Sequence, residues 1–164
     1  MKKKAITWAE SRIDDLVIRP LKPHSDGRGW LAELFRVDET PADLLPAMGY
    51  VSMTLPGTVR GPHGHSSQTD YFGFVGPGRF LLRIWDNRPD SATYGHKQSA
   101  IVGEGNPVVV VVPPGLVHAY KNISATEGFV LNFPNRLYAG RNRKEPVDEV
   151  RYEDLKPVVY SMED

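Results

Sequence analysis

The sequence lacks cysteine, an excess of either charge and any long hydrophobic run. Without cysteine the chain can form no disulfide, thiolate nucleophile or cysteine-ligated zinc site, and this composition fits a reducing cytoplasm. Its 20 basic and 20 acidic residues balance, so no global field attracts nucleic acid or an anionic membrane. The longest apolar run, Val108–Val112, is far too short to span a bilayer. We therefore expect a cytoplasmic protein that binds neither nucleic acid nor membrane.

Helix signals are also scarce, whereas strand and turn signals recur along the chain. The 164 residues include 15 glycines and 14 prolines. The runs between them are rich in β-branched and aromatic residues and predict strands. The predicted strands are Trp30–Val37, Tyr50–Leu55, Tyr71–Val75, Arg79–Trp85, Val108–Val112 and Gly128–Phe133. One short helix is predicted at Asp38–Leu45, with Thr40 as its N-cap and Pro41 at its first position.

This spacing of strands predicts an all-β sandwich or barrel. The length fits a single domain over residues 1–164. We expect the barrel to occupy roughly residues 26–138 and a charged tail to occupy residues 141–164.

Three of the five histidines fall in two motifs that predict a shared pocket. The first motif is RGPHGH at residues 60–65, and the second is PPGLVH at residues 113–118. His63 and His65 are two residues apart, so on an extended segment they point to the same face. His118 follows a Pro-Pro-Gly turn and is expected to begin or end another strand. Imidazole is suited both to proton transfer near neutral pH and to metal binding, so both functions stay open.

The two histidine motifs resemble the paired motifs of the cupin superfamily. That resemblance implies a double-stranded β-helix, the cupin jelly roll. In metal-bound cupins the ligands are three histidines and a glutamate, and here His63, His65 and His118 match, with Asp70 in place of the glutamate. One alternative is therefore a metal-dependent cupin, such as a dioxygenase or a metal-assisted isomerase.

Four segments, two of which overlap the histidine motifs, resemble a narrower family, the dTDP-4-dehydrorhamnose 3,5-epimerases. They are DGRGWLAELF at residues 26–35, RGPH at 60–63, DSATYG at 90–95 and VPPGLVHA at 112–119, and they occur in the family's order. The resemblance implies a homodimeric isomerase that epimerises a nucleotide-diphosphate-linked 4-keto-6-deoxysugar without a metal or an organic cofactor.

The chemistry of that family suits histidine. A 4-keto group acidifies the neighbouring C–H bonds, and a base with a pKa near the working pH can remove such a proton. By family position His63 is the base and His118 lies near the sugar. Arg28 and Arg60 match residues that contact the phosphates and sugar, and Glu33 matches an acidic residue that contacts the nucleotide.

The chain departs from the family at the proton donor. Leu131 stands where the family carries its proton-donating tyrosine, and leucine cannot donate a proton. Tyr138 matches a nearby family tyrosine and is predicted to be catalytic, while the proton donor stays unassigned, with Tyr138 and Tyr71 as the candidates.

Other assignments stay open. The family orients its catalytic histidine with an aspartate, for which Asp70, Asp148 and Asp154 are candidates here. The related sugar 3,4-ketoisomerases carry a similar R-G-x-H-A-H motif, which places His65 at the substrate and keeps a keto-isomerisation open. A non-catalytic cupin that only binds a sugar nucleotide is a further alternative.

Overall fold

The computed structural model describes residues 7–163 and consists almost entirely of strands. The strands are β1 (Ala9–Glu10), β2 (Val17–Pro20), β3 (His24–Asp26), β4 (Gly29–Leu31), β5 (Tyr50–Thr54), β6 (Val59–Gly64), β7 (Asp70–Phe74), β8 (Arg79–Asp86), β9 (His96–Gly103), β10 (Val108–Val112), β11 (Leu116–Asn122), β12 (Gly128–Asn132) and β13 (Val150–Arg151). Two 3-10 turns, Ala42–Leu44 and Arg141–Arg143, are the only helical segments among the described residues. Neither has the length that crossing a bilayer as a helix requires. The all-β prediction is confirmed.

The strands form two principal sheets and a separate hairpin. The six-stranded sheet has the order β1-β9-β8-β11-β6-β13, and the five-stranded sheet has the order β2-β10-β7-β12-β5. The hairpin joins β3 to β4. Consecutive strands such as β6 and β7 lie in different sheets, so the chain crosses repeatedly between the two layers.

The main core lies between the two sheets. Alternate residues of each central strand point inward and bury large apolar side chains. Phe74 from the five-stranded sheet packs edge-on against Phe80 and Tyr120 from the six-stranded sheet, with ring centroids 5.6 and 5.5 Å apart. These contacts fix the spacing of the layers at one end and leave room for a pocket at the other.

Segments without regular structure cover part of each sheet's outer face. Leu34 and Phe35 pack on the five-stranded sheet around Tyr71 and Val109. Tyr160 packs on the six-stranded sheet against Trp85, Val117 and Ala119. Both outer faces therefore carry apolar side chains that the chain itself partly buries.

The structure differs from the sequence prediction at one strand, at the helix and at the position of His118. The predicted strand Trp30–Val37 is extended only through Leu31, because the residues that follow pack across a sheet rather than beside another strand. The predicted helix at Asp38–Leu45 is only the 3-10 turn Ala42–Leu44, and Pro41 precedes it with extended backbone. His118 is the third residue of β11 rather than its first or last.

The packing of the core predicts that a substitution at Gly128 lowers the stability of the fold. A Cβ on Gly128 would lie 2.5 Å from Cζ of Phe80, a fully buried ring that cannot move aside freely. Gly128→Ala is therefore expected to destabilise the fold by about 1–3 kcal/mol through overpacking, measured by urea unfolding. Gly27→Ala is the matched control, because nothing lies within 4 Å of its added Cβ. Equal stability of the two variants would contradict this description of the core.

Candidate active site

The three motif histidines meet on one side of the space between the sheets. His63 on β6 is paired directly with His118 on β11, and their ring centroids lie 4.3 Å apart. His65 follows the end of β6, with its ring 5.6 Å from that of His63 and 6.0 Å from that of His118. The pairing of β6 with β11 thus brings together two motifs that are far apart in the sequence.

Asp70 joins this histidine cluster (His63, His65 and His118) from the opposite sheet. It is the first residue of β7, is 1% exposed, and places Oδ2 3.1 Å from Nε2 of His65 and 3.3 Å from Nε2 of His118. Its Oδ1 accepts hydrogen bonds of 2.9 Å from the amides of Gln68 and Asn132. Burial would raise the pKa of Asp70, but its contacts with His118 and His65 outweigh burial and hold the pKa well below its usual range. The carboxylate is therefore ionised.

Among the three histidines, His65 is the one whose protonation Asp70 favours. Burial works to lower its pKa, but the contact with Asp70 and the hydrogen bond to the backbone carbonyl of Asp148 outweigh burial, so the pKa of His65 is raised. Asp148 also accepts hydrogen bonds through its carboxylate from the backbone N–H groups of Ser66, Ser67 and Gln68, at 2.8, 2.8 and 2.9 Å. Asp148 therefore holds the loop that carries His65.

No described carboxylate hydrogen-bonds to His63 directly. Asp70 comes nearest in effect, because its Oδ2 contacts His118, whose ring packs against that of His63. Asp148 acts on His65 instead, and Asp154 is exposed. Among the three predicted candidates, Asp70 is thus the one the structure connects to His63, through His118.

His63 opens onto a cavity of about 330 Å³ between the two sheets. The lining residues come from both layers and from the segment around β13: Tyr50, Ser52, Val59, Arg60, Gly61, His63, Phe72, Tyr120, Glu149, Arg151 and Glu153. Burial, together with the neighbouring His118, lowers the pKa of His63 to about 3. At neutral pH the imidazole is uncharged and can accept a proton.

Tyr50 faces the cavity from the five-stranded sheet. Tyr50 stays 47% exposed and so lies at the mouth of the cavity. Asn132 donates a 2.9 Å hydrogen bond from Nδ2 to its hydroxyl oxygen, and partial burial raises the pKa of Tyr50 to about 12. Tyr120 lies on the other sheet, with its hydroxyl 3.1 Å from Oγ of Ser52. Neither tyrosine is predicted from a sequence motif, although the alternation of Tyr50, Ser52 and Thr54 along one strand places all three on the same face.

The structure brings only some of the predicted substrate residues to the cavity. Arg60 lines it, and its guanidinium donates to Oγ1 of Thr54 at 2.9 Å and to the carbonyl of Met53 at 2.6 Å. Arg28 lies on the exposed β3–β4 hairpin and pairs with Asp26 at 2.5 Å.

Glu33, Tyr138 and Tyr71 also lie away from the cavity. Glu33 is exposed and lies 3.4 Å from Arg36. Tyr138 is 59% exposed, and the buried Tyr71 donates its hydroxyl hydrogen to the carbonyl of Leu34 on the outer face of the sheet. His65 and His118 adjoin His63 but lie behind it rather than on the cavity wall.

Comparison with known proteins identifies the family. A sequence profile described as dTDP-4-dehydrorhamnose 3,5-epimerase matches residues 10–154. The chain belongs to this family. The probable low-salt glycan biosynthesis epimerase of Haloferax volcanii is 39% identical over 128 residues, which span 77% of this chain and 81% of that protein. The spore coat polysaccharide biosynthesis protein SpsL of Bacillus subtilis is 34% identical over 128 residues, spanning 77% and 82%.

Solved structures of the epimerase family share the fold. The dTDP sugar isomerase of Desulfovibrio desulfuricans superposes with a TM-score of 0.75 at 21% identity, over 91% of each chain. The dTDP-4-dehydrorhamnose 3,5-epimerase of Sulfolobus tokodaii gives a TM-score of 0.65 at 26% identity, over 76% of this chain and 72% of that one. The predicted family and the predicted cupin jelly roll are both confirmed.

The histidine cluster and Asp70 also contain the donor set that the metal-dependent alternative requires. One ligand atom from each of the four residues lies within 4.8 Å of all the others. Both ring nitrogens of His118 and Oδ2 of Asp70 lack an aligned hydrogen bond among the described residues, so the set could hold a divalent cation. The comparisons nevertheless match an epimerase family and do not support the metal-dependent alternative.

The lowered pKa of His63 predicts an imidazole that stays neutral in mild acid. Because its pKa is about 3 in the folded protein and about 6.5 in an unfolded chain, the unfolded chain binds the proton more tightly. His63 therefore lowers stability progressively as the pH falls from about 6.5 towards 3.

Ring ¹⁵N chemical shifts of labelled protein between pH 7 and 4.5 test this directly. The urea-denatured protein serves as the reference and His63→Asn assigns the signal. A His63 ring that takes up a proton near pH 6.5 would contradict the description.

Proposed function

We propose that this protein epimerises a nucleotide-diphosphate-linked 4-keto-6-deoxysugar by removing a proton from a carbon next to the ketone. The observation that carries the proposal is the neutral imidazole of His63 on the wall of a cavity between two sheets. Membership of the dTDP-4-dehydrorhamnose 3,5-epimerase family supports the substrate class. The relative in Haloferax volcanii, described as a probable epimerase, supports the reaction type.

The residues around His63 suit the charge that such a reaction develops. Removal of the α-proton leaves an enolate, whose oxygen needs a fixed positive group or hydrogen-bond donor. Arg60 lines the cavity, and its two bonds to β5 hold the guanidinium in place while using only two of its five N–H groups. Arg60 can therefore donate to the enolate oxygen or to a phosphate.

The role proposed for His118 differs from the predicted role as a substrate contact. It is 1% exposed and lies behind His63, between that ring and the carboxylate of Asp70. In this proposal His118 positions His63 and connects it to Asp70. It does not contact the enolate.

The mouth of the cavity suits a charged, partly apolar ligand. Phe72 and Tyr120 supply an aromatic floor for the deoxysugar ring. Arg151 lies at the rim, where its Nε donates to Glu149 at 2.8 Å, and a diphosphate could replace that carboxylate as its partner.

A homodimer is part of the proposal, supported by an uncovered apolar patch. The outer face of β5 and β12 carries Val51 opposite Leu131 and Met53 opposite Phe129, and Val51, Met53 and Phe129 are all exposed. β5 is also the edge strand of its sheet. A second copy packed there would bury this patch.

The dimer also bears on the predicted nucleotide contacts. Arg28 and Glu33 lie outside the cavity of their own chain, so as substrate-binding residues they would have to act in the cavity of the second copy. The proposal of a cytoplasmic location rests on the cysteine-free composition.

Exchange of substrate hydrogen with solvent tests the reaction. With dTDP-4-keto-6-deoxyglucose in deuterium oxide, the wild type is expected to incorporate deuterium at C3 or C5, as followed by proton NMR. His63→Ala should slow that exchange by about 10²–10⁴-fold, because it removes the general base. Tight nucleotide binding with no exchange in the wild type would instead favour the non-catalytic alternative.

The control for metal is the same assay after exhaustive chelation, with metal analysis of the purified protein. Exchange is expected to survive, because Arg60 and not a cation stabilises the enolate in this proposal. Stoichiometric metal whose removal abolishes exchange would overturn the proposed mechanism.

The proposed dimer is tested by introducing a charged side chain into the apolar patch on β5 and β12. Met53→Glu is expected to convert a species of twice the chain mass into a monomer in sedimentation velocity, because burying an unpaired carboxylate in an interface is costly. Val158→Glu is the control, since Val158 is exposed at 70% and lies on the tail away from β5. A monomeric wild type would refute this part of the proposal.

A further inference from the structure

Epimerisation needs a second group that returns a proton to the face opposite the base. The family's tyrosine position is occupied here by Leu131, and its side chain does not even face the cavity. Leu131 is paired with Gly73, which alternates with the core residues Phe72 and Phe74 and therefore faces outward. The donor must then be another side chain of the cavity wall.

Tyr50 lies on the neighbouring strand, one residue out of register with Leu131, and faces inward where Leu131 faces outward. β5 is hydrogen-bonded to β12, with Tyr50 opposite Asn132 and Val51 opposite Leu131. Tyr50 and Asn132 point inward as a pair, and the Tyr50 side chain lines the cavity. A phenol is thus present at this end of the five-stranded sheet, displaced by one strand.

Tyr50 also lies on the correct side of the cavity. His63 belongs to the six-stranded sheet, whereas Tyr50 belongs to the five-stranded sheet that forms the opposite wall. Tyr120, the other cavity tyrosine, stands on β11 in the same sheet as His63. A sugar held between the layers presents one face to His63 and the other to Tyr50, which is the arrangement that inversion requires.

The hydrogen bonds around Tyr50 leave its proton available. Oδ1 of Asn132 accepts the backbone N–H of Tyr71 at 3.0 Å, which fixes the amide orientation. The amide nitrogen therefore donates both to Asp70 and to the hydroxyl oxygen of Tyr50, each at 2.9 Å. Because Tyr50 accepts in this bond, its own hydrogen is free to point into the cavity. The same hydrogen bond from the Asn132 amide stabilises the phenolate after Tyr50 has donated its proton.

We propose that Tyr50 is the proton donor of this enzyme. The C–H bond next to the ketone breaks as its proton passes to the neutral ring of His63, and the electron pair forms the enolate. The enolate carbon then takes the phenolic proton of Tyr50 on its other face, forming the new C–H bond. The phenolate and the imidazolium finally exchange protons with solvent. This inference rests on the proposed function, since it completes the same reaction.

Tyr50→Phe separates the two half-reactions. The variant keeps the aromatic ring but has no hydroxyl proton to donate. His63 should still remove the substrate proton and return a deuteron to the same face, so dTDP-4-keto-6-deoxyglucose incorporates deuterium with retention of configuration. Formation of the inverted sugar is expected to fall by about 10²–10⁴-fold. Both are read by proton NMR in deuterium oxide, with near-UV circular dichroism as the check of folding. A purely structural role would slow exchange and inversion together.

Tyr94→Phe is the matched control and is expected to behave as wild type, because Tyr94 is 44% exposed and does not line the cavity. Normal inversion by Tyr50→Phe would overturn the donor assignment while leaving the proposed function intact. Loss of exchange and inversion together in a folded Tyr50→Phe protein would also overturn it. A wild type without exchange would refute the proposed function, and the donor assignment with it.

Discussion

The site depends on one buried negative charge, the carboxylate of Asp70. Burying an ionised carboxylate costs several kcal/mol unless hydrogen bonds and an opposite charge compensate it. Here Gln68 and Asn132 supply the hydrogen bonds to one oxygen, and His65 supplies the charge beside the other. Because Asp70 stands on one sheet and its histidine partners on or beside the other, this compensation also holds the two layers in register at the cavity.

The charge on Asp70 also explains why the three histidines differ in protonation. Three imidazoles crowd around a single carboxylate, and one carboxylate compensates one proton. His65 has the closer contact with Asp70 and the carbonyl of Asp148 on its other nitrogen, and these contacts raise its pKa, so it is the histidine on which a proton is favoured. His63 is farther from Asp70 and closer to His118, so a charge on it would be buried without a partner. The residue facing the cavity is therefore kept neutral by its neighbours, so its lone pair is free at neutral pH, but a pKa of about 3 makes it a weaker base than the family resemblance implies.

The fold class and the histidine cluster could be predicted from the sequence, because both rest on local patterns. Alternation and turn residues define the strands, and His63, His65 and His118 each follow a short motif. Tyr50 could not be found this way, because its role depends on which strand lies opposite β12, and that pairing is not local. The covering segment after Leu31 was misread for a similar reason: its apolar residues suit a strand and an outer-face cover equally well.

The position of the phenol follows from what Asp70 requires. The inward-facing pair at this end of the five-stranded sheet is Tyr50 and Asn132. The carboxylate of Asp70 needs a hydrogen-bond donor from β12, the inner strand of this pair, and the backbone N–H of Tyr71 needs an acceptor at the same position. An amide meets both needs and has a second hydrogen for Tyr50, whereas a phenol at residue 132 has a single hydrogen to give. With an amide on the inner strand, the edge strand is the place where a phenol can reach the cavity and keep its proton free.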